Sequence, residues 1–444
     1  MNGKVKKRLR MQGKDKIMEK QVADWWRDAK FGMFIHWGIY AVAAGEWNGR
    51  KVRGNSEWIM ERLDIPVKEY EEMASRFRPV QFNADSWVKT AYDAGMKYIV
   101  FTAKHHDGFA MFRSEDPFNI VSATPFCRDP LAELAESCRK YGLRLCLYYS
   151  HVLDWHEPDA FRDDIPLTKQ DLVKEKNLRF RNYLEKKVKP QLKELLTGYG
   201  PIGALWFDMP GCIDPAYCRE IREYVKSFQP ECIISGRIGH GMGDYLTVGD
   251  NKIPLLPCRH PWEMPGTMND TWGYKAGDRN WKTADELIRI LLKIVSRGGN
   301  YLLNAGPDAA GCIPPESVQI LKEIGHFLSE NGEAVYGTSV MPPYPYDMTD
   351  GLFTARPGTL YYCCLVPHEK LFLSCIANPV HSVSLLSTKE PLPFTVTWSE
   401  ASKCHDLVID LPPNRPDSGI MVLKIEISGN EPVFEDIFQL PSAT

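Results

Sequence analysis

Between Phe31 and Gly332, short apolar runs alternate with segments of helical periodicity, and this alternation restricts the possible folds more than any other feature. The runs are Phe31–Gly38 (FGMFIHWG), Lys97–Phe109 (KYIVFTAKHHDGF), Leu143–Ser150 (LRLCLYYS), Gly203–Asp208 (GALWFD), Cys232–Arg237 (CIISGR) and Asn300–Pro307 (NYLLNAGP). Amphipathic segments fall at Ala84–Ala94, Pro130–Lys140, Leu172–Leu196, Ala216–Phe228 and Ala284–Val295. Asp85 opens the first and Asp129 precedes Pro130 at the second, while Gly95 and Gly142 close those two, as caps should. Strand–helix alternation implies parallel strands with helical crossovers. The polar clusters His36, His105–Asp107, Tyr148–His151, Asp208 and Arg237 all end apolar runs. In a (β/α)8 TIM barrel, that end of the strands carries the active-site loops. The fold class read here is therefore α/β, a TIM-barrel catalytic domain.

After Tyr336 the pattern changes to short runs with period-two alternation: TLYYCCLV, KLFLSCIA, HSVSLL, FTVTW, DLVIDL and MVLKIEI. They predict an antiparallel β-sandwich. The expected organisation is a basic arm over residues 1–20, a barrel over 21–335 and a sandwich over 336–444. A net charge of −3 carries no nucleic-acid footprint. No apolar run reaches membrane-spanning length. Met1–Lys20 is basic without a following apolar stretch, so a cytoplasmic protein is expected for the chain as written. The twelve cysteines are scattered, which reads as buried thiols in a reducing compartment rather than a disulfide framework.

Asp208 is the sharpest chemical candidate, a carboxylate ending an apolar strand directly after Trp206 and Phe207. Such a group is expensive to bury without partners or a task. Glu263 falls in His260–Tyr274 (HPWEMPGTMNDTWGY), read as a loop whose aromatic rings suit pyranose faces. Glycosidic cleavage needs two carboxyl groups, and a Glu packed against Trp262 would have the raised pKa of an acid. Asp270 in the same segment is a rival acid. His105 and His106 are adjacent, so they point to opposite sides of a strand and suit sugar hydroxyls better than a metal. His36 and Arg237 end strands too, and Glu46–Trp47 and Glu57–Trp58 pair carboxylates with aromatics. Motifs for zinc (H-E-x-x-H), phosphate binding (G-x-x-x-x-G-K-[ST]) and a serine nucleophile (G-x-S-x-G) are missing from the sequence. No metal or cofactor is therefore expected.

The ordered series Trp25–Tyr40, Ser56–Trp58, Tyr98–Phe109, Leu147–Trp155, Leu196–Asp208, Trp262–Tyr274 and Ser296–Pro314 resembles glycoside hydrolase family 29, the α-L-fucosidases. The resemblance implies a barrel followed by a β-sandwich, retention of anomeric configuration and no metal. It assigns Asp208 as the nucleophile and Glu263 as the acid/base. His36, Glu57, Trp58, His105, His106, Tyr148, Trp206 and Arg237 match positions lining a fucose pocket, and Trp272 the aromatic near the sugar's methyl group. Two departures, Met209–Pro210 after the nucleophile and Met264–Pro265–Gly266 after the Glu, bear on the leaving-group side. The expected partner is a fucosylated oligosaccharide or glycoconjugate, hydrolysed from its terminus. A homo-oligomer is compatible with the sequence. The competing readings are an α-L-galactosidase and a non-catalytic fucose-binding protein.

Overall fold

The computed structural model describes residues 24–162, 169–342, 344, 349–366, 368–400, 403–413 and 419–435. The basic arm expected over residues 1–20 lies outside them. Eight parallel strands form the first sheet: β1 (Phe31–Ile35), β2 (Tyr98–Lys104), β3 (Arg144–Tyr149), β4 (Ala204–Phe207), β5 (Ile233–Ile234), β6 (Leu246–Thr247), β7 (Trp262–Thr267) and β8 (Asn300–Ala305). They pair in the order β5-β4-β3-β2-β1-β8-β7-β6. That is the cyclic order of a barrel, and a parallel bridge between Ser235 and Tyr245 joins its two ends.

The main helices are α1 (Ala84–Asp93), α2 (Pro130–Tyr141), α3 (Gln170–Tyr183), α4 (Lys189–Gly198), α5 (Pro215–Phe228), α6 (Ala284–Ser296) and α7 (Pro315–Asn331). A π-helical turn, Leu184–Val188, joins α3 to α4. Asp129 caps α2 by accepting from the amides of Leu131 and Ala132, and Gly142 ends it in the left-handed region at φ 71°. At α1 the cap is Asn83, not Asp85: the Asn83 side chain accepts from the Ser86 amide, while Asp85 turns outward to Lys140. No α-helix separates β5 from β6 or β6 from β7.

Strand side chains alternate between two apolar layers. Phe34, Val100, Cys146, Tyr148, Ala204, Trp206 and Leu302 fill the barrel interior. Met33, Ile35, Phe101, Leu147, Leu205 and Phe207 point the other way and pack with helix residues such as Leu134, Leu192 and Leu291. Each such side chain contributes about 1.5–3 kcal/mol on full burial.

The change of architecture comes between α7 and β9 (Gly351–Arg356). With β10 (Thr359–Cys364), β11 (Lys370–Ser374), β12 (Val380–Leu385), β13 (Phe394–Ser399), β14 (Cys404–Asp410) and β15 (Met421–Ile427) it makes two antiparallel sheets, β9-β10-β15-β12 and β11-β14-β13. Leu360, Leu373, Leu407, Ile409 and Leu423 form their common core. Tyr361, Cys363 and Val422, on the opposite face of the larger sheet, belong to the barrel's outer core instead. Tyr361 and Lys424 both bind Glu333, just past α7, at 2.7 and 2.9 Å. Among the described residues, no helix is long and apolar enough to cross a membrane.

Candidate active site

The inward alternation of the strands continues past their C-terminal ends and supplies the site. His36 lies two residues beyond inward-facing Phe34, Asp208 two beyond Trp206, and Asn304 two beyond Leu302. His36 and Asp208 meet, with Asn304 behind His36, around a cavity of about 140 Å³ lined by His36, Glu57, Trp58, His105, Trp206, Asp208, Arg237, Asp250 and Trp272, with Phe34, Asn55, Arg62 and Met209. A larger cleft of about 630 Å³ beside α3 and α4 contains none of these strand-end residues, so chemistry is placed in the smaller one.

Asp208 is 9% exposed. One of its oxygens, Oδ1, accepts from Arg237 Nη1 at 2.9 Å and from the Met209 amide at 2.9 Å. Met209 sits at φ 47°, in the left-handed region, as the chain turns away after the carboxylate. The other oxygen, Oδ2, accepts from the Tyr148 hydroxyl at 3.1 Å, with His106 Nε2 at 3.6 Å. Arg237 uses its second terminal nitrogen, Nη2, on Asp250 Oδ1. One planar guanidinium thus bridges two carboxylates, one on each terminal nitrogen of its rigid donor fork.

His106 and Tyr148 stand one layer behind the cavity wall, against Asp208, and Ser150 Oγ lies 2.6 Å from His106 Nδ1. His36 Nδ1 is 2.7 Å from Asn304 Oδ1, whose amide nitrogen donates to the Trp272 carbonyl. Burial lowers the His36 pKa to about 4, and holds His105 and His106 well below the usual histidine range. All three are neutral at neutral pH, and with His36 Nδ1–H donated to Asn304 Oδ1, its Nε2 is left as an acceptor for a hydroxyl. Glu57, in the 3-10 turn Ser56–Trp58, is buried and accepts from the Gly273 amide at 2.9 Å. Burial outweighs that bond and pushes its pKa up to about 7.

Two of the carboxylates singled out in the sequence lie elsewhere, a third sits deeper than expected, and one pocket residue carries no sequence motif. Glu46 and Trp47 belong to a short exposed hairpin with Arg50–Lys51, away from the cavity. Asp270 is exposed and accepts from Asn280. Glu263, expected in a loop, is instead the second residue of β7 and 0% exposed. It registers with Asn300, the first residue of β8, four positions below the level of Asn304. That is roughly 13 Å along a strand. Its Oε2 accepts from the Tyr98 hydroxyl at 2.7 Å and its Oε1 from Trp206 Nε1 at 2.8 Å. Glu263 therefore lies inside the barrel beneath Trp206 and does not line the cavity with Asp208. The carboxylate that does share the cavity is Asp250, with a side chain 44% exposed at the rim. Its sequence signal is slight: a two-residue strand followed by Val248–Gly249–Asp250.

Burial also raises the Glu263 pKa to about 7, against the opposing bonds from Tyr98 and Trp206. The native chain keeps this proton, and that of Glu57, to higher pH than the unfolded chain does. The associated stability is full below about 4.5 and is lost as pH rises toward about 7. For Glu263 the rise from 4.5 to about 7 corresponds to roughly 3 kcal/mol. Calorimetry should show the Tm of Glu263→Gln gaining on that of the wild type across this window. A constant difference would show that Glu263 does not ionise there.

Residues 4–333 match the protein family described as Alpha-L-fucosidase. Among curated proteins, an alpha-L-fucosidase of Dictyostelium discoideum is 32% identical over 355 residues, covering 73% of this chain and 74% of that protein. Among solved structures, the alpha-L-fucosidase of Vibrio sp. strain EJY3 superposes with a TM-score of 0.84 at 34% identity, covering 92% of this chain and 73% of that one. A GH29 alpha-L-fucosidase of Bacteroides thetaiotaomicron, trapped as a covalent intermediate with 2-fluoro-fucosyl fluoride, superposes at 0.82 with 28% identity, covering 91% and 95%. With a closed barrel, a β-sandwich, a pocket at the strand ends and these matches, the chain belongs to the alpha-L-fucosidase family, GH29.

Proposed function

We propose that the protein is a retaining exo-α-L-fucosidase in which Asp208 is the nucleophile and Asp250, rather than Glu263, is the acid/base. The observation that carries the assignment is the Arg237 fork, which brings these two carboxylates together at one cavity. At about 140 Å³ the cavity is well below the roughly 300–1,000 Å³ that holds drug-sized ligands, so it suits one terminal ring rather than a length of chain.

With the fucosyl ring seated, the neutral imidazoles of His36 and His105 and the Glu57 carboxyl meet its hydroxyls, while Trp58 and Trp272 offer faces to its apolar edges. Asp208 attacks the anomeric carbon as Asp250 gives its proton to the departing glycosidic oxygen. Asp250 then takes a proton from water, which displaces Asp208 from the anomeric carbon. Two inversions give net retention. Arg237 and Tyr148 hold opposite oxygens of Asp208 and fix the plane from which it attacks. The trapped intermediate of the Bacteroides relative supports the same course.

The test is hydrolysis of 4-nitrophenyl α-L-fucopyranoside followed by proton NMR, beside the matching α-L-galactoside and a fucosyl-oligosaccharide panel. Turnover that releases the α-anomer first is expected. First release of the β-anomer would refute retention. A folded protein inactive on every fucoside would refute the function.

A further inference from the structure

The same Glu263 that falls outside the cavity occupies a position with consequences for it. Asp208, Trp206 and Ala204 share the inward face of β4, so the Trp206 indole lies directly below the nucleophile. The ring is 2% exposed, stacked on Tyr148 at 5.6 Å and packed against Phe34 at 5.0 Å. Its upper face carries the Arg237 guanidinium, 4.8 Å from the ring centre. The ring plane therefore sets the height and tilt of the group that grips Asp208 and Asp250. Stacking alone does not distinguish this indole from one given a half-turn about Cβ–Cγ, which keeps the ring plane but carries the N–H to the other edge. What fixes that rotation is the indole N–H, a donor too costly to bury unpaired, and Glu263 Oε1 accepts it. Glu263 is itself held by the Tyr98 hydroxyl, which rises from the start of β2.

We propose that Glu263 is a positioning residue: from inside the barrel it orients Trp206, and through Trp206 the Arg237 guanidinium that sets the two reacting carboxylates. This rests on the assignment of Asp208 and Asp250 above. No proton passes between Glu263 and the substrate. A buried carboxylate here is not explained by stability, since an apolar residue would fill the barrel without a desolvation cost. Its return is geometric.

Two variants test the proposal. Glu263→Leu fills similar space but offers the Trp206 N–H no acceptor. Trp206→Phe keeps a ring under Arg237 but removes the N–H. Misplacement of reacting groups by about 1 Å costs on the order of 10²-fold, so each should lower kcat/KM by about 10- to 100-fold. The losses should be equal on nitrophenyl fucoside and on a fucosyl-oligosaccharide, because nucleophile placement does not depend on the leaving group. Measured well below each variant's Tm, the double variant should lose little more than the worse single one, since both break the same link. If Glu263→Leu fails to fold, Trp206→Phe still reports the leaving-group independence. Wild-type kcat/KM in Glu263→Leu, or fully additive losses, would overturn the proposal. A loss confined to the oligosaccharide would make Glu263 the acid itself and overturn both assignments. If Asp208→Asn keeps wild-type activity, the catalytic reading fails first, whatever the Glu263 variants do.

Discussion

Asp208→Asn is expected to lose about 10⁴-fold or more in kcat on every fucoside while the fold and ground-state binding persist. The amide oxygen still accepts from Arg237, so the barrel end keeps its shape. What disappears is the anion that forms the bond to the anomeric carbon. The smaller Asp208→Gly leaves room for an external nucleophile, and azide should restore turnover through a single displacement to the β-fucosyl azide. Activity of Asp208→Asn within tenfold of the wild type would remove Asp208 from the chemistry.

Asp250→Ala is expected to show a loss that depends on the leaving group. General acid catalysis is worth about 10²–10⁴-fold. On a fucosyl-oligosaccharide, whose departing alkoxide needs a proton, kcat/KM should fall by that factor. On nitrophenyl fucoside the first step needs little protonation, and kcat/KM should fall far less. Azide, which needs no general base, should then intercept the fucosyl-enzyme and give the α-fucosyl azide, opposite in configuration to the product from Asp208→Gly. Equal losses on both substrates would refute the acid role. So would finding this pattern in a Glu263 variant.

The acid/base assignment shows where sequence reading works and where it stops. Strand-end residues of inward parity, His36, Tyr148 and Asp208, are legible because a period of two carries an apolar column straight into the site. The same period misleads at Glu263. Trp262 and Glu263 are neighbours in the chain, but on a strand they face opposite sides: Trp262 packs among the outer residues and donates to the Arg297 carbonyl, while Glu263 enters the barrel. The aromatic expected to tune the acid is on the far side of the sheet. β7 itself resembles a loop in sequence because it contains Pro265–Gly266. It tolerates the proline because β6 pairs only as far as Glu263, so no strand on that flank needs an N–H from Pro265, whose carbonyl accepts from the Asn251 amide. Asp250 is hidden by the same brevity, since a strand of two residues has no periodicity to read. Among the helices, α7 carries a usable signal, Pro315 at its start and a 17-residue pattern ending at Asn331 and Gly332, yet the alternation read from the sequence leaves it out.

The Arg237 fork has a further consequence for the energetics of the reaction. In the proposed mechanism, Asp208 acts as the anion before attack and Asp250 as the proton donor. In the fucosyl-enzyme, Asp208 is a neutral ester and Asp250 has become the anion. The negative charge has moved from one tine of the guanidinium to the other, while the sum facing the cation is unchanged. The barrel end therefore needs neither to summon nor to dismiss a counter-ion during the cycle. A cation fixed midway between donor and recipient of the charge has little reorganisation left to do, which is the condition under which preorganised electrostatics lowers a barrier most.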